Sequence, residues 1–271
     1  MADHRIKLSQ LKTILEDRFK TFHRPEYLRT DPLICLQGYS NPEDLEIAGL
    51  IAAMLAYGRV ETIINKVSDL LRRIGPTPGA FIRNATFAEM YARMRGFKHR
   101  FSDGRAIAAV LHAVGRILKQ CGSLEPLFIR GYNSSDPTIE SALDRFTVCI
   151  KTSARHYAPD RAAQIGFLLP SPAFGSACKR MNMYLRWMIR PCDGIDLGIW
   201  SAISPSKLIM PVDTHVARIA RSLVLTQRHS ADWTMAVEVT SVLRAIAPFD
   251  PVRYDFSLCR SGMIEFRRKA A

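Results

Sequence analysis

Residues 41–74 read NPEDLEIAGLIAAMLAYGRVETIINKVSDLLRRI, and this stretch decides the fold class. In 60–74 the apolar residues Val60, Ile63, Ile64, Val67, Leu70, Leu71 and Ile74 each have another of the set three or four positions away. That is the period of an amphipathic helix. Asp44 to Tyr57 is apolar nearly all round, which suits a helix in the middle of a bundle. Asn41 then Pro42 is a start signal: a side-chain acceptor for an orphan N–H, and a proline where its missing N–H costs nothing. Helical periodicity recurs at 5–22, 105–119, 138–151, 176–189, 214–225, 232–246 and 251–266, while strand-like alternation is nearly absent. The expected fold is all-α. Residues 23–43 read as a Pro- and Gly-punctuated connector, and 190–212 as a long non-helical segment of the kind that is usually functional.

The 271 residues, 48% hydrophobic, suffice for one large domain or two lobes. With 15 Gly and 15 Pro and no biased tract, collagen, disorder and low complexity are excluded. Thirty-eight Lys and Arg against 25 Asp and Glu leave a net charge of +13, which suits a polyanionic partner; a basic surface that only aids solubility explains the charge equally. No apolar stretch approaches the ~18–20 residues of a membrane span. MADHRIKLSQLKTILEDRFKTF mixes both charge signs and lacks the apolar centre of a secretory signal, so a soluble cytoplasmic protein is expected. The six cysteines are scattered without C-x-x-C, and the seven histidines form no His-x-x-x-His pair. No disulfide, metal site, iron–sulfur cluster or other cofactor is expected.

The chemistry concentrates in Pro211–Arg221, PVDTHVARIAR. Asp213 falls at the N-cap position before the amphipathic run Val216, Ile219, Ala220 and Leu223. A carboxylate there accepts backbone N–H bonds at the positive end of the helix dipole and stays ionised. It suits general-base work or the stabilisation of a developing cation; it suits equally a plain helix cap.

PVDTHVARIARSLVL resembles the V-D-T-H segment of the helix-hairpin-helix DNA glycosylase superfamily, to which endonuclease III belongs, and the resemblance implies that Asp213 is the catalytic carboxylate. RYDFSLCRSGMIEF (253–266) is similar to the following family helix with its L-x-x-x-G, and EIAGLIAAMLAYGRVETIINKV (46–67) to an early one. Almost the whole chain resembles a bacterial family of unknown function, DUF2400. The blocks that carry this resemblance are DLEIAGLIAAMLAYGRV, GFKHRF, KRMNMYLRWMIR, DGIDLGIW, PSKLIMPVDTHVARIAR and DPVRYDF.

The superfamily hairpin L-P-G-V-G-x-K corresponds to Leu169–Arg180, LPSPAFGSACKR, with one glycine, an extra proline and another register. Gly175 and Ser176 precede a helix, so N–H donors there are placed for a DNA phosphate, with Arg180 beside them. The resemblance implies that Lys179 is the amine that attacks the sugar C1′ and forms a Schiff base, although it lies 34 residues before Asp213. Archaeal 8-oxoguanine glycosylases have a similarly stretched interval. The competing reading is a basic helix face of Lys179, Arg180, Arg186 and Arg190 that touches phosphate.

Base excision takes the nucleotide out of the stack, and Tyr57 or Arg59, beside Gly58, stand where the family places its gap-filling residue. A tight helix–helix turn explains them equally. Lys98-His99-Arg100 is either a DNA-lining cluster or a solvated loop. Arg218 and Arg221 fall on one face of the Asp213 helix, in reach of phosphate. Trp187, Trp200 and Trp233 are read as core. The twelve residues after Cys259 contain no cysteine, so a cluster-free member is expected.

The expected organisation is two lobes with double-stranded DNA in a basic cleft, across which Lys179 and Asp213 face each other. Residues 41–200 form a bundle carrying the hairpin, and 1–40 join 201–271. The expected function is DNA repair by an N-glycosylase, with AP-lyase activity as a further option. The alternatives are a non-catalytic DNA- or RNA-binding protein and an enzyme acting on a small phosphorylated or nucleoside molecule.

Overall fold

The computed structural model describes the backbone of residues 7–270 and the side chains of residues 7–264. These residues form thirteen α-helices and one two-stranded antiparallel pair, so the protein is mainly helical. They divide into two units, residues 1–28 with 172–271, and residues 29–171. The first helix, α1, spans Leu8–Phe22; Arg5 and Ile6 of the expected 5–22 helix lie outside the described residues.

The 29–171 unit is built around α2 (Pro42–Leu55), whose Ile47–Leu55 are all buried. Asn41 caps it as expected, its Oδ1 accepting from the Glu43 N–H at 2.9 Å. Then come α3 (Val60–Ile74), α4 (Pro78–Asn84), α5 (Phe87–Met94), β1 (Lys98–His99), β2 (Ser102–Asp103), α6 (Gly104–Cys121), α7 (Glu125–Ile129), α8 (Glu140–Tyr157) and α9 (Ala162–Leu168). Helix α6 packs on α4, α5 and α8. Gly115 allows this closeness: a Cβ there would stand 2.0 Å from the Ile82 carbonyl oxygen. Helices α4, α5, α7 and α9 are additions to the expected set. They have five to eight residues each, too short for a periodic pattern to declare itself.

The other unit adds α10 (Lys179–Ile189), α11 (Thr214–Ser222), α12 (Trp233–Ile246) and α13 (Asp255–Ala270) to α1. Helix α13 packs on α1 and α11, and Gly262 brings it against Ile219, whose Cδ1 lies 2.3 Å from where a glycine Cβ would stand. All three tryptophans are buried.

The boundaries differ from those expected at 40/41 and 200/201. Helix α10 belongs with the C-terminal elements because the following segment wraps its end. The N–H groups of Leu197 and Trp200 bond the Trp187 and Met188 carbonyls, at 2.8 Å each. The expected helix 176–189 starts at Lys179, because Cys178 takes a left-handed φ of +48° that helical backbone cannot continue through.

Candidate active site

Asp213 is the N-cap of α11. Its Oδ1 accepts from the N–H groups of His215 and Val216 at 2.9 and 2.8 Å, which leaves Oδ2 for other work. That oxygen lies 3.6 Å from Lys179 Nζ, and the two side chains remain 24% and 29% exposed. Burial disfavours the charged carboxylate, but Lys179 and the Val216 N–H outweigh it and hold the carboxyl below the ordinary range. Lys179 is the first residue of α10, the end of a helix where a cation is least stabilised, so the Asp213 carboxylate is the compensating charge. Both residues belong to one unit, whereas the sequence reading set them on opposite lobes.

The turn that delivers Lys179 is specifically built. Gly175 has φ +73°, and its carbonyl accepts from the Trp233 N–H at 3.1 Å. Ser176 bridges to Asp232, and its Oγ accepts from the Cys178 N–H at 3.2 Å. Asn182, buried one turn into α10, donates from Nδ2 to the Ala177 carbonyl at 3.1 Å, while its Oδ1 has no partner among the described residues. A strained residue immediately before Lys179 and a side-chain brace behind it fix where the Lys179 backbone stands.

Behind the pair lies a buried ionic network. Arg186 Nε bonds Asp196 Oδ1 at 3.0 Å, and its Nη1 bonds Asp255. Arg190 bonds Asp196, Asp193 at 3.1 Å and Asp250 at 2.9 Å. His23 Nε2 closes the chain on Asp193 at 2.8 Å. Burial opposes ionisation of Asp193, but the His23 hydrogen bond, the Asp196 N–H and Arg190 together hold its carboxyl far below the ordinary range. At Asp255 burial wins over Arg186 and lifts the carboxyl to about 6; Lys179 favours its charged form and Asp213 opposes it. Burial likewise pushes the Cys259 thiol up to about 11, and Lys179 and Asp213 act on it too. One face of α13 therefore shares the electrostatics of the candidate pair.

This network overturns the reading of Arg186 and Arg190 as a phosphate-touching face, and burial does the same for Arg180, which no ion pair of the network includes. The carboxylates were visible in DGID (193–196) and DPVRYD (250–255), but nothing in those strings names their arginine partners. Arg218 is exposed on α11. Arg221 is half-buried, with Nη1 bonding the Arg228 and His229 carbonyls at 3.4 and 3.3 Å.

In the other unit, Arg59 is exposed and Tyr57 is half-buried. The Tyr57 hydroxyl donates to the His99 carbonyl at 2.9 Å and lies 3.0 Å from Ser102 Oγ, so Tyr57 braces the β1–β2 hairpin. Among the described residues no group of three or more His, Cys, Asp or Glu is placed to hold a metal ion.

A family model described as a protein of unknown function (DUF2400) matches residues 31–264. The chain belongs to the DUF2400 family. The span shared with DUF2400 contains Lys179, Asp213 and every Arg and Asp of the buried network, and leaves out only His23. No curated protein and no solved structure matches the chain.

Proposed function

We propose that this DUF2400 protein is a DNA base-excision enzyme, an N-glycosylase with AP-lyase activity through Lys179. The observation that carries the reading is the 3.6 Å approach of Lys179 Nζ to Asp213 Oδ2, at the starts of two helices and open to solvent. The resemblance of PVDTHVARIAR to the superfamily motif supplies the chemistry, the +13 charge suits the polyanion, and the division into two helical units is in keeping with the superfamily's two-lobed fold.

In this reaction the neutral amine of Lys179 attacks the sugar C1′. The C1′–N bond breaks, and the base leaves with the bonding pair and takes up a proton. The Asp213 carboxylate, ionised across the neutral range, stabilises the positive charge that develops on the sugar. The proton lost from the new C1′–N adduct passes to O4′, the C1′–O4′ bond breaks, and the ring-opened sugar remains joined to Lys179 as a protonated Schiff base. Attack requires the neutral amine, and the adjoining carboxylate lies in place to take a proton from it and pass it on.

The test is borohydride trapping on duplex DNA carrying an abasic site, followed by base release from oxidised and deaminated bases. Wild type, Lys179→Ala and Asp213→Asn are compared. A covalent adduct lost in Lys179→Ala supports the proposal. No adduct and no base release, with salt-dependent DNA binding retained in every variant, would establish the non-catalytic reading, which the single-glycine hairpin favours.

A further inference from the structure

The 29–171 unit carries a groove that takes no part in the Lys179–Asp213 pair. Helices α4 and α5 are joined by Ala85 and Thr86 alone. Between them lies a cavity of about 490 Å³, lined by Phe81, Asn84, Ala85, Glu89, Ala92 and Arg93. Its volume suits a small molecule, and its walls combine an apolar surface with a few polar groups.

The polar groups are fixed by their neighbours. The Thr86 N–H and hydroxyl donate to Glu89 Oε2 at 2.8 and 2.7 Å, and the Glu89 N–H donates to Thr86 Oγ1 at 3.3 Å. This capping box holds the Glu89 carboxyl below its ordinary range and leaves Oε1 unused among the described residues. Asn84 Nδ2 donates to the Ala80 carbonyl at 2.9 Å, which leaves Oδ1 as an acceptor. The Arg93 guanidinium lies 5.0 Å from the Phe81 ring centroid, and its Nη1 donates to the Arg73 carbonyl at 2.8 Å. Arg73 is held in turn by Asp69 at 3.1 Å and donates to the Arg93 and Arg95 carbonyls.

Glu89 and Arg93 stand at i and i+4 of α5, with the glutamate nearer the N-terminus. That is the order in which a helical ion pair closes most readily. Here it does not close: among the described residues Glu89 has no cationic partner and Arg93 no carboxylate. Each charge is drawn aside by its own neighbours, and both are left lining one cavity.

We propose that the α4–α5 groove binds a free α-amino acid with an aromatic side chain. Its ammonium would lie on Glu89 Oε1 and Asn84 Oδ1, its carboxylate on Arg93, and its ring against Phe81, Ala85 and Ala92. An inorganic anion would satisfy Arg93 and be repelled by Glu89, and a simple cation meets the reverse; a zwitterion satisfies both at once. The apolar walls and the room between them call for a large side chain, and the Phe81 ring favours an aromatic one. Residues within a peptide chain lack the paired head charges. The inference is independent of the DNA reading.

The experiment is calorimetric titration of the full chain with L-phenylalanine, N-acetyl-L-phenylalanine, which lacks the ammonium, and 2-phenylethylamine, which lacks the carboxylate. L-phenylalanine binds, and each analogue binds roughly 10- to 100-fold more weakly, the worth of one hydrogen-bonded charge. Glu89→Gln keeps the capping box, so it loses the charge and not the turn. It and Arg93→Gln weaken L-phenylalanine by a similar factor, while circular dichroism shows both folded, and Arg93→Lys recovers part of the loss. Glu89→Gln also narrows the gap between L-phenylalanine and its N-acetyl analogue. No binding of L-phenylalanine, or equal binding of all three compounds, overturns the proposal. Binding that Lys179→Ala removes but Glu89→Gln and Arg93→Gln retain also overturns it, because the amino acid then occupies the other unit.

Discussion

Asp255→Asn should make the protein more stable at neutral pH, and the size of the gain follows from the environment of the carboxyl. Asp255 is 4% exposed, and burial lifts it from an ordinary 3.8 to about 6 in spite of its bond from Arg186. Between those two values the folded chain holds a proton that the unfolded chain has released, so stability falls as pH rises through the window. At about 1.4 kcal/mol per pH unit the loss amounts to about 3 kcal/mol by pH 7.5. The asparagine has a similar shape, still accepts from Arg186 and never ionises. The mutant and wild type should therefore differ by about 3 kcal/mol more at pH 7.5 than at pH 4, in the mutant's favour.

Tryptophan fluorescence during urea unfolding reads this directly, because Trp187, Trp200 and Trp233 all lie in the unit that contains Asp255. Comparing the two proteins across pH cancels the contributions of Asp193 and Asp213, whose depressed values act in the opposite sense. Parallel stability curves from pH 4 to 7.5 would refute the reasoning and show that Arg186 keeps Asp255 ionised throughout. A carboxylate retained at such a cost, within the electrostatic reach of Lys179 and Asp213, is the pattern of a site kept for function rather than stability.

Arg190→Met should lower stability by about 3–5 kcal/mol in the same fluorescence assay, because it leaves the fully buried Asp196 with Arg186 alone and removes the arginine partner of Asp193 and Asp250; adding Asp196→Asn should recover part of the loss. Asp213→Ala should cost about 0.5–2 kcal/mol through lost capping, whereas Asp213→Asn keeps an acceptor and should stay within about 1 kcal/mol; equal costs would refute the cap assignment. Gly115→Ala should destabilise the 29–171 unit by about 3 kcal/mol or more, since a methyl group would meet a backbone oxygen that cannot step aside. An unchanged thermal midpoint by circular dichroism would count against that close approach of α6 to Ile82.

The long helices were legible because their information is local. Asn41, Asp103, Asp213 and Asp232 each cap the helix that follows, and the residues α3 buries, Ile63, Val67, Leu70, Leu71 and Ile74, are all among the periodic positions of 60–74. The short helices were not, because five to eight residues hold too few turns for a period and are stabilised by what they pack on. Asp213 was readable as a fixed carboxylate from its cap position alone. Arg186 and Arg190 were misread as surface charge because a string of residues shows an arginine without showing the aspartates that bury it.

The sequence alone determined the helical class, the caps, the net charge and the motif that points to Asp213. All of these depend on neighbours within a turn or two, or on sums over residues. Only the tertiary structure decided that Lys179 lies 3.6 Å from a carboxylate 34 residues away, and that Asp193, Asp196, Asp250 and Asp255 neutralise two buried arginines. Charge pairing and burial are through-space properties: they depend on where the whole chain brings distant atoms together, and no local pattern encodes that distance.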